Sequence, residues 1–131
     1  MTKYIALFLL VCNGFCFAAC DTNVKTKGNT YTSISAIEAK QIMDTEEDFV
    51  IIDARTVEEY KQGHIEGAIV IPDYDIAQKA EIKIPDKDKL ILVYCRSGRR
   101  SKIASQALVD LGYTNVKEFG GIIDWEYEIV K

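Results

Sequence analysis

Short apolar segments that alternate with helix signals are the feature that most constrains the fold of this chain. Four segments have the length and composition of strands: 49–53, 68–71, 90–94 and 116–119. Helix signals separate or follow them, at 35–43, 56–63 and 102–111, with a final helix predicted around Trp125. Apolar strands that alternate with helices predict an α/β fold, doubly wound, with a central, mostly parallel sheet and helices on both faces.

Capping residues support the predicted helix boundaries. Ser35 and Glu38 form a capping box, and Thr56 and Glu59 form a second one. Gly63 is a plausible C-terminal cap for the second helix. The acidic residues between 73 and 88 are interpreted as a solvated surface.

Cys95 ends the clearest predicted strand and is followed by a tight turn around Gly98 and then by a helix. Such a turn aims backbone N–H groups at one point, and the helix adds the positive end of its dipole. Arg96, Arg99 and Arg100 add cationic side chains. Helix N-termini and cationic neighbours favour the thiolate, which is the nucleophilic form of cysteine. The segment therefore predicts an anion-binding loop around a reactive sulfur.

The segment 95–101, Cys-Arg-Ser-Gly-Arg-Arg-Ser, resembles the active-site loop of rhodanese-domain sulfurtransferases. Other segments resemble the same family in the same order: Asp53-Ala54-Arg55, Glu59-Tyr60, 63–68 with Ile71-Pro72, and Gly120-Gly121 with Trp125. The resemblance extends from about Thr32 to Tyr127 and covers most of the chain.

The resemblance implies a rhodanese-like domain that transfers sulfane sulfur through a persulfide on Cys95. The donor would be a small anion such as thiosulfate, polysulfide or a persulfide, and the acceptor a thiol or cyanide. The family's loop corresponds here to Arg96, Ser97, Gly98, Arg99, Arg100 and Ser101. Their backbone N–H groups would hold the persulfide, Arg96 and Arg99 would meet the donor, and Arg100 would brace the loop. No metal, organic cofactor or nucleic acid is implied.

Four further residues have predicted supporting or structural roles. Asp53 and Arg55 could bind substrate, but they are expected to support the site by pairing with loop or helix groups, for example Arg55 with Glu59. His64 is the only histidine, but its place in a helix-to-strand turn favours a structural role over a Cys–His dyad. Trp125 is expected in the core or at the rim of the site.

Two other functions compete with sulfur transfer. Cysteine phosphatases of related architecture have five residues between cysteine and arginine, whereas four separate Cys95 from Arg100, and this spacing favours a sulfur-sized site. A sulfur carrier or sensor that loads one sulfur without turnover is the second alternative.

The N-terminus predicts export. Residues 1–19 resemble a signal peptide, with Lys3 before an apolar stretch that is too short to span a bilayer. Ala18-Ala19-Cys20 resembles a lipobox, although Phe17 stands where leucine is usual, so lipidation of Cys20 and ordinary cleavage nearby are both open. The expected location is periplasmic or at the cell surface, anchored to a membrane by lipid in the first case.

Composition agrees with one exported domain. A length of 131 residues, with 48% hydrophobic and 27% charged residues, suits a single globular domain over 31–131 after a flexible tether over 20–30. The chain has four cysteines, at 12, 16, 20 and 95. If the first two are removed with the signal and Cys20 is lipidated, Cys95 is the one free thiol of the mature chain.

Overall fold

The computed structural model describes residues 30–131. The predicted signal peptide, Cys20 and all but the last residue of the predicted tether lie outside the described residues. Strands and helices follow in the order β1 (Thr32–Ser33), α1 (Ala36–Thr45), β2 (Phe49–Asp53), α2 (Val57–Gln62), β3 (Ile69–Val70), α3 (Ile76–Lys83), β4 (Leu90–Cys95), α4 (Arg99–Asp110) and β5 (Val116–Gly121).

All five strands form one sheet in the order β1-β5-β4-β2-β3, and every pair is parallel. The central strand β4 lies between β2 and β5. Parallel neighbours require crossover connections, and the helices provide them. This architecture confirms the predicted doubly wound α/β fold.

The side chains of β4 alternate between two hydrophobic cores because successive residues of a strand point to opposite faces. Ile91, Val93 and Cys95 belong to the core that α3 and α4 cover. Leu92 and Tyr94 belong to the core on the face of α1. All five are at most 1% exposed. The alternation places the Cys95 side chain on the side of the sheet that α4 covers.

The helix starts confirm the first predicted capping box, whereas only the threonine half of the second one forms. Ser35 caps α1 in a complete capping box with Glu38. The Thr56 hydroxyl caps α2 by accepting from the Glu59 N–H at 3.2 Å. Gly63 ends α2 with φ at +151°, a conformation that favours glycine.

Three elements differ from the sequence-based expectation. The last helix is missing: residues Ile122–Asp124 form one 3-10 turn, and Trp125 follows it in an extended conformation, with its ring 5.6 Å from that of Phe119. Helix α3 was not predicted: its acidic residue Glu81 is exposed, as expected, but Ile76 and Ala80 bury the opposite face of the helix. The short strand β1 was not predicted. No helix within residues 30–131 has the length and apolar character needed to cross a bilayer.

Candidate active site

The candidate site lies at the carboxyl edge of the sheet, where Cys95 is the last residue of β4. Asp53 ends the neighbouring strand β2, in register with Tyr94. On the other side Cys95 pairs with Gly121 of β5, after a shift in register. Ligands of open parallel sheets bind at this edge. The structure thus brings both predicted strand-end residues, Asp53 and Cys95, to the same edge.

The Cys95 sulfur is held by the first turn of α4. The Gly98 N–H donates to Cys95 Sγ at 3.0 Å, and Sγ lies 3.5 Å from the Ser101 hydroxyl. Gly98 has φ at +110°, a backbone conformation that glycine tolerates best. Helix α4 begins at the next residue and is 12 residues long, so the positive end of its dipole lies beside the sulfur. This geometry suits an anionic sulfur species.

The three arginines of the loop have different environments. Arg96 and Arg99 are exposed, and neither side chain pairs with another residue of the described part. Arg100 is half-buried and donates from both terminal nitrogens to the Glu59 carboxylate, at 2.7 and 2.9 Å. The Arg100 guanidinium holds the pKa of Glu59 well below its usual range, at about 2. Two cations are therefore available to a ligand, while the third ties α4 to α2.

The loop is also packed closely against the end of β5. The Ile123 N–H donates to the Arg96 carbonyl at 3.2 Å. A Cβ at Gly121 would lie only 1.9 Å from that carbonyl oxygen, so only glycine fits there. The exposed Ser97 completes the turn between Arg96 and Gly98.

Asp53 and Arg55 form a buried pair beneath this edge of the sheet. The Arg55 guanidinium donates to both Asp53 oxygens, the shorter contact being 2.8 Å, and to the Gly63 carbonyl at 2.6 Å. The Tyr94 hydroxyl also donates to Asp53, at 2.7 Å, and burial raises the pKa of Tyr94. The prediction of an ion pair between Arg55 and Glu59 is therefore wrong, because Arg55 pairs with Asp53 and Glu59 pairs with Arg100.

His64 and Trp125 have structural surroundings. His64 stacks on Tyr60, with ring centroids 3.7 Å apart, and its Nδ1 lies 2.9 Å from the Tyr60 carbonyl. The Trp125 ring packs between Phe119 and Tyr127, and its Nε1 donates to the Glu128 carbonyl. Neither side chain hydrogen bonds to the loop residues 95–101 within the described chain.

Glu118 is a site residue that the sequence interpretation did not include. It is 2% exposed, and its Oε1 accepts from the Ser101 hydroxyl at 3.0 Å and from the Gly120 N–H at 2.7 Å. An acidic residue in phase with the apolar Val116 along β5 was the available signal, because residues two apart in a strand share a face. Glu118 also connects the site to β1, because the Ser33 hydroxyl donates to its other oxygen.

A separate groove lies away from the cysteine loop. That groove measures about 680 Å³ and is lined by residues of α1, by Ile65 and Glu66, and by the segment 125–128. No group of three or more potential metal ligands occurs within residues 30–131.

Comparisons with known proteins give the family. A family model described as the rhodanese-like domain matches residues 35–128. The chain is 41% identical over 73 residues to the thiosulfate sulfurtransferase PspE of Escherichia coli, covering 56% of this chain and 70% of the relative. It is 40% identical over 88 residues to a sulfurtransferase of Allochromatium vinosum, covering 66% of this chain and 79% of the relative.

A solved structure gives the same result for the fold. A protein of Escherichia coli described as a rhodanese with anions superposes with a TM-score of 0.59 at 39% identity, covering 63% of this chain and 96% of the other. The segment that the family model matches includes the cysteine loop, strands β2 to β5 and helices α1 to α4. The chain belongs to the rhodanese-like domain family.

Proposed function

We propose that this chain transfers sulfane sulfur from an anionic donor to a thiophilic acceptor through a persulfide on Cys95. The observation that carries the proposal is the 3.0 Å hydrogen bond from the Gly98 N–H to Cys95 Sγ, at the head of α4. The two sulfurtransferase relatives support sulfur transfer as the class of reaction.

The reaction takes place in two displacements. The Cys95 thiolate attacks the outer sulfur of thiosulfate, the sulfur–sulfur bond of the donor breaks, and sulfite leaves with the bonding electron pair. A thiolate or cyanide then attacks the outer sulfur of the Cys95 persulfide, and the Cys95 thiolate leaves. The covalent intermediate divides one difficult transfer into two easier ones.

The loop would stabilise the charge that each displacement moves. Cys95 is 1% exposed, so the outer sulfur of the donor has to enter the turn, where backbone N–H groups from Arg96 to Ser101 surround the persulfide. Donors fixed in place before reaction stabilise developing charge without reorganisation. The exposed guanidinium groups of Arg96 and Arg99 suit the anionic part of thiosulfate, polysulfide or another persulfide.

Intact mass measurement tests the intermediate. After incubation with thiosulfate and removal of excess donor, we expect the protein to gain the mass of one sulfur atom and to lose it on addition of cyanide. The Cys95→Ser variant should remain at its original mass and keep its unfolding midpoint. A gain of sulfur by Cys95→Ser would place the chemistry on another residue.

Steady-state turnover separates an enzyme from a carrier. With thiosulfate and cyanide in excess, we expect thiocyanate to accumulate through many turnovers per molecule. Release of a single equivalent, followed by a stop, would instead assign the role of a sulfur carrier or sensor.

We also propose that the chain is exported and held at a membrane by lipid on Cys20, with 1–19 removed. The support is the apolar stretch after Lys3 and the small residues Ala18 and Ala19 before Cys20. Mass spectrometry of the mature N-terminal peptide should detect a lipid-modified Cys20 in membrane fractions. An unmodified N-terminus near Cys20 would indicate ordinary cleavage and a soluble periplasmic protein.

A further inference from the structure

Glu118 is a buried carboxylate that binds neutral donors at the candidate active site. Its Oε1 accepts from Ser101 Oγ at 3.0 Å and from the Gly120 N–H at 2.7 Å, and its Oε2 accepts from Ser33 Oγ at 2.8 Å. Within residues 30–131 no lysine, arginine or histidine forms an ion pair with it. Both oxygens of this buried carboxylate are thus held by hydroxyl and backbone N–H donors, one of which belongs to the cysteine loop.

A continuous path of polar atoms connects Glu118 with the reactive sulfur. Cys95 Sγ lies 3.5 Å from Ser101 Oγ, in the geometry of a thiol that donates to the hydroxyl. Ser101 Oγ is in turn 3.0 Å from Glu118 Oε1. The Ser101 hydroxyl also has the Gly98 carbonyl within 2.9 Å, but a hydrogen bond to a charged acceptor is the stronger one.

We propose that Glu118 is a positioning residue that accepts the Cys95 thiol proton through Ser101. The Cys95 proton moves to Ser101 Oγ while the Ser101 proton moves to Glu118 Oε1. The result is a Cys95 thiolate and a neutral Glu118, with no proton gained from or lost to water. The thiolate then accepts the Gly98 N–H bond that is already in place. The inference rests on the proposed function, for which it supplies the nucleophile.

Other charged groups around the site are bound elsewhere or exposed to solvent. On the α4 side, Arg100 pairs with Glu59; beneath the sheet edge, Arg55 pairs with Asp53. The side chains of Arg96 and Arg99 are exposed to water. From β1 the partner of Glu118 is the hydroxyl of Ser33, which does not titrate in the accessible range. Cys95 and Glu118 are thus the two titratable groups that this hydrogen-bond path joins.

The rate of Cys95 alkylation against pH tests the relay without using any sulfur donor. The full chain is treated with iodoacetamide, and modification of the Cys95 peptide is followed by mass spectrometry. At alkaline pH the alkylation rate rises as Cys95 loses its proton to water. At lower pH the relay lets Cys95 and Glu118 share one proton, so a constant fraction of thiolate remains and the wild-type rate should become independent of pH. In Glu118→Gln the level region should disappear, and the rate should fall about tenfold for each pH unit.

Two serines of α4 provide matched variants. Ser101→Ala interrupts the path and should remove the level region, as Glu118→Gln does, whereas Ser101→Thr keeps a hydroxyl and should restore it. Ser105 is equally buried on the same helix, and its hydroxyl has no hydrogen-bond partner in the described chain. Ser105→Ala should therefore retain the wild-type profile. Thermal unfolding shows which variants are folded.

Each outcome decides the proposal. If wild type and Glu118→Gln both change tenfold per pH unit, and the variant reacts faster, Glu118 acts only through its negative charge. Resistance of the wild type to alkylation at every pH also counts against the relay, since the thiolate it prepares must react. If the level region is present but thiosulfate adds no sulfur, the relay holds and the proposed function fails.

Discussion

The lack of a side chain at Gly121 allows β5 to lie close to the cysteine loop. Gly121 has extended backbone angles, φ −130° and ψ 156°, which any residue can adopt. The constraint is therefore purely steric, because a Cβ would lie 1.9 Å from the Arg96 carbonyl oxygen. Relief of that contact requires the backbone of the loop or of β5 to move.

Gly121→Ala should consequently impair sulfur transfer. A displacement of the loop by about 1 Å is enough to cost on the order of 100-fold in rate when reacting groups must be aligned. The measurement is kcat/KM with thiosulfate, together with the unfolding midpoint.

Gly112→Ala provides the control for a glycine substitution in general. Gly112 has φ at +97° but open space around its Cα, and it follows α4 at the end distant from Cys95. Its replacement should cost about 1 kcal/mol of unfolding free energy through backbone strain, with kcat/KM retained. Equal activity in both variants would contradict the steric interpretation of Gly121.

Sequence patterns predict the reactive part of the site better than its supports. Cys95 and Gly98 were identifiable because a strand, a turn and a helix follow one another within a few residues. The contacts of Glu118 with Ser33 and Ser101 join residues 85 and 17 positions apart, and no local pattern encodes them. Arg55 was instead assigned to Glu59, four residues further along the chain, whereas its partner is the buried Asp53, only two residues away.

At the scale of elements, a bidentate ion pair connects α2 to α4. The Glu59–Arg100 pair is partly buried, with side chains 28% and 21% exposed. Because the pKa of Glu59 is lowered from 4.5 to about 2, folding is favoured by its ionised form. This contribution is complete above the unfolded pKa and is lost as pH falls through the folded pKa.

Glu59→Gln should therefore destabilise the domain in a pH-dependent way. We expect a loss of about 1 kcal/mol of unfolding free energy at neutral pH, since partly exposed pairs contribute little more. The difference from wild type should shrink between pH 4.5 and about 2, where the wild-type carboxylate also becomes neutral. Urea unfolding at several pH values measures it.

Glu58→Gln is the matched control, because Glu58 is exposed on the same helix and has no described partner. It should show a smaller difference from wild type at neutral pH. A Glu59→Gln effect that stays constant with pH would indicate that the ion pair contributes nothing.

Elements with caps or continuous apolar strands were predictable, and those held by distant packing were not. Ser35 and Gly63 mark helix ends through local chemistry. Helix α3 is instead stabilised by Ile76, Ala80 and Ile84, which are at most 2% exposed. Charged residues separate these three in the sequence, so their common face was not recognised as apolar. Trp125 was assigned to a helix, but the packing of its ring against Phe119 accompanies an extended backbone.

At the scale of the whole molecule, one sheet separates two cores, and both cores include residues of the central strand β4. Ile91 and Leu92 are neighbours on β4, both 0% exposed, and they point into opposite cores. Trp125, the single tryptophan of the chain, packs against the core of Leu92. Its fluorescence reports directly on that face alone.

Ile91→Ala and Leu92→Ala should each cost about 3 kcal/mol of unfolding free energy. Because the cores share β4, tryptophan fluorescence and circular dichroism should give the same midpoint in each variant. Separate midpoints for the two probes in Ile91→Ala would show that the faces unfold independently.

The two outer strands of the sheet, β1 and β3, are only two residues long. Each leaves few unpaired N–H and C=O groups at the margin, too few to align with a strand from another molecule. Sheet edges of this kind resist aggregation by strand addition. A protein concentrated on a membrane surface by a lipid anchor would gain from this protection, because crowding in two dimensions brings sheet margins together far more often than free diffusion does.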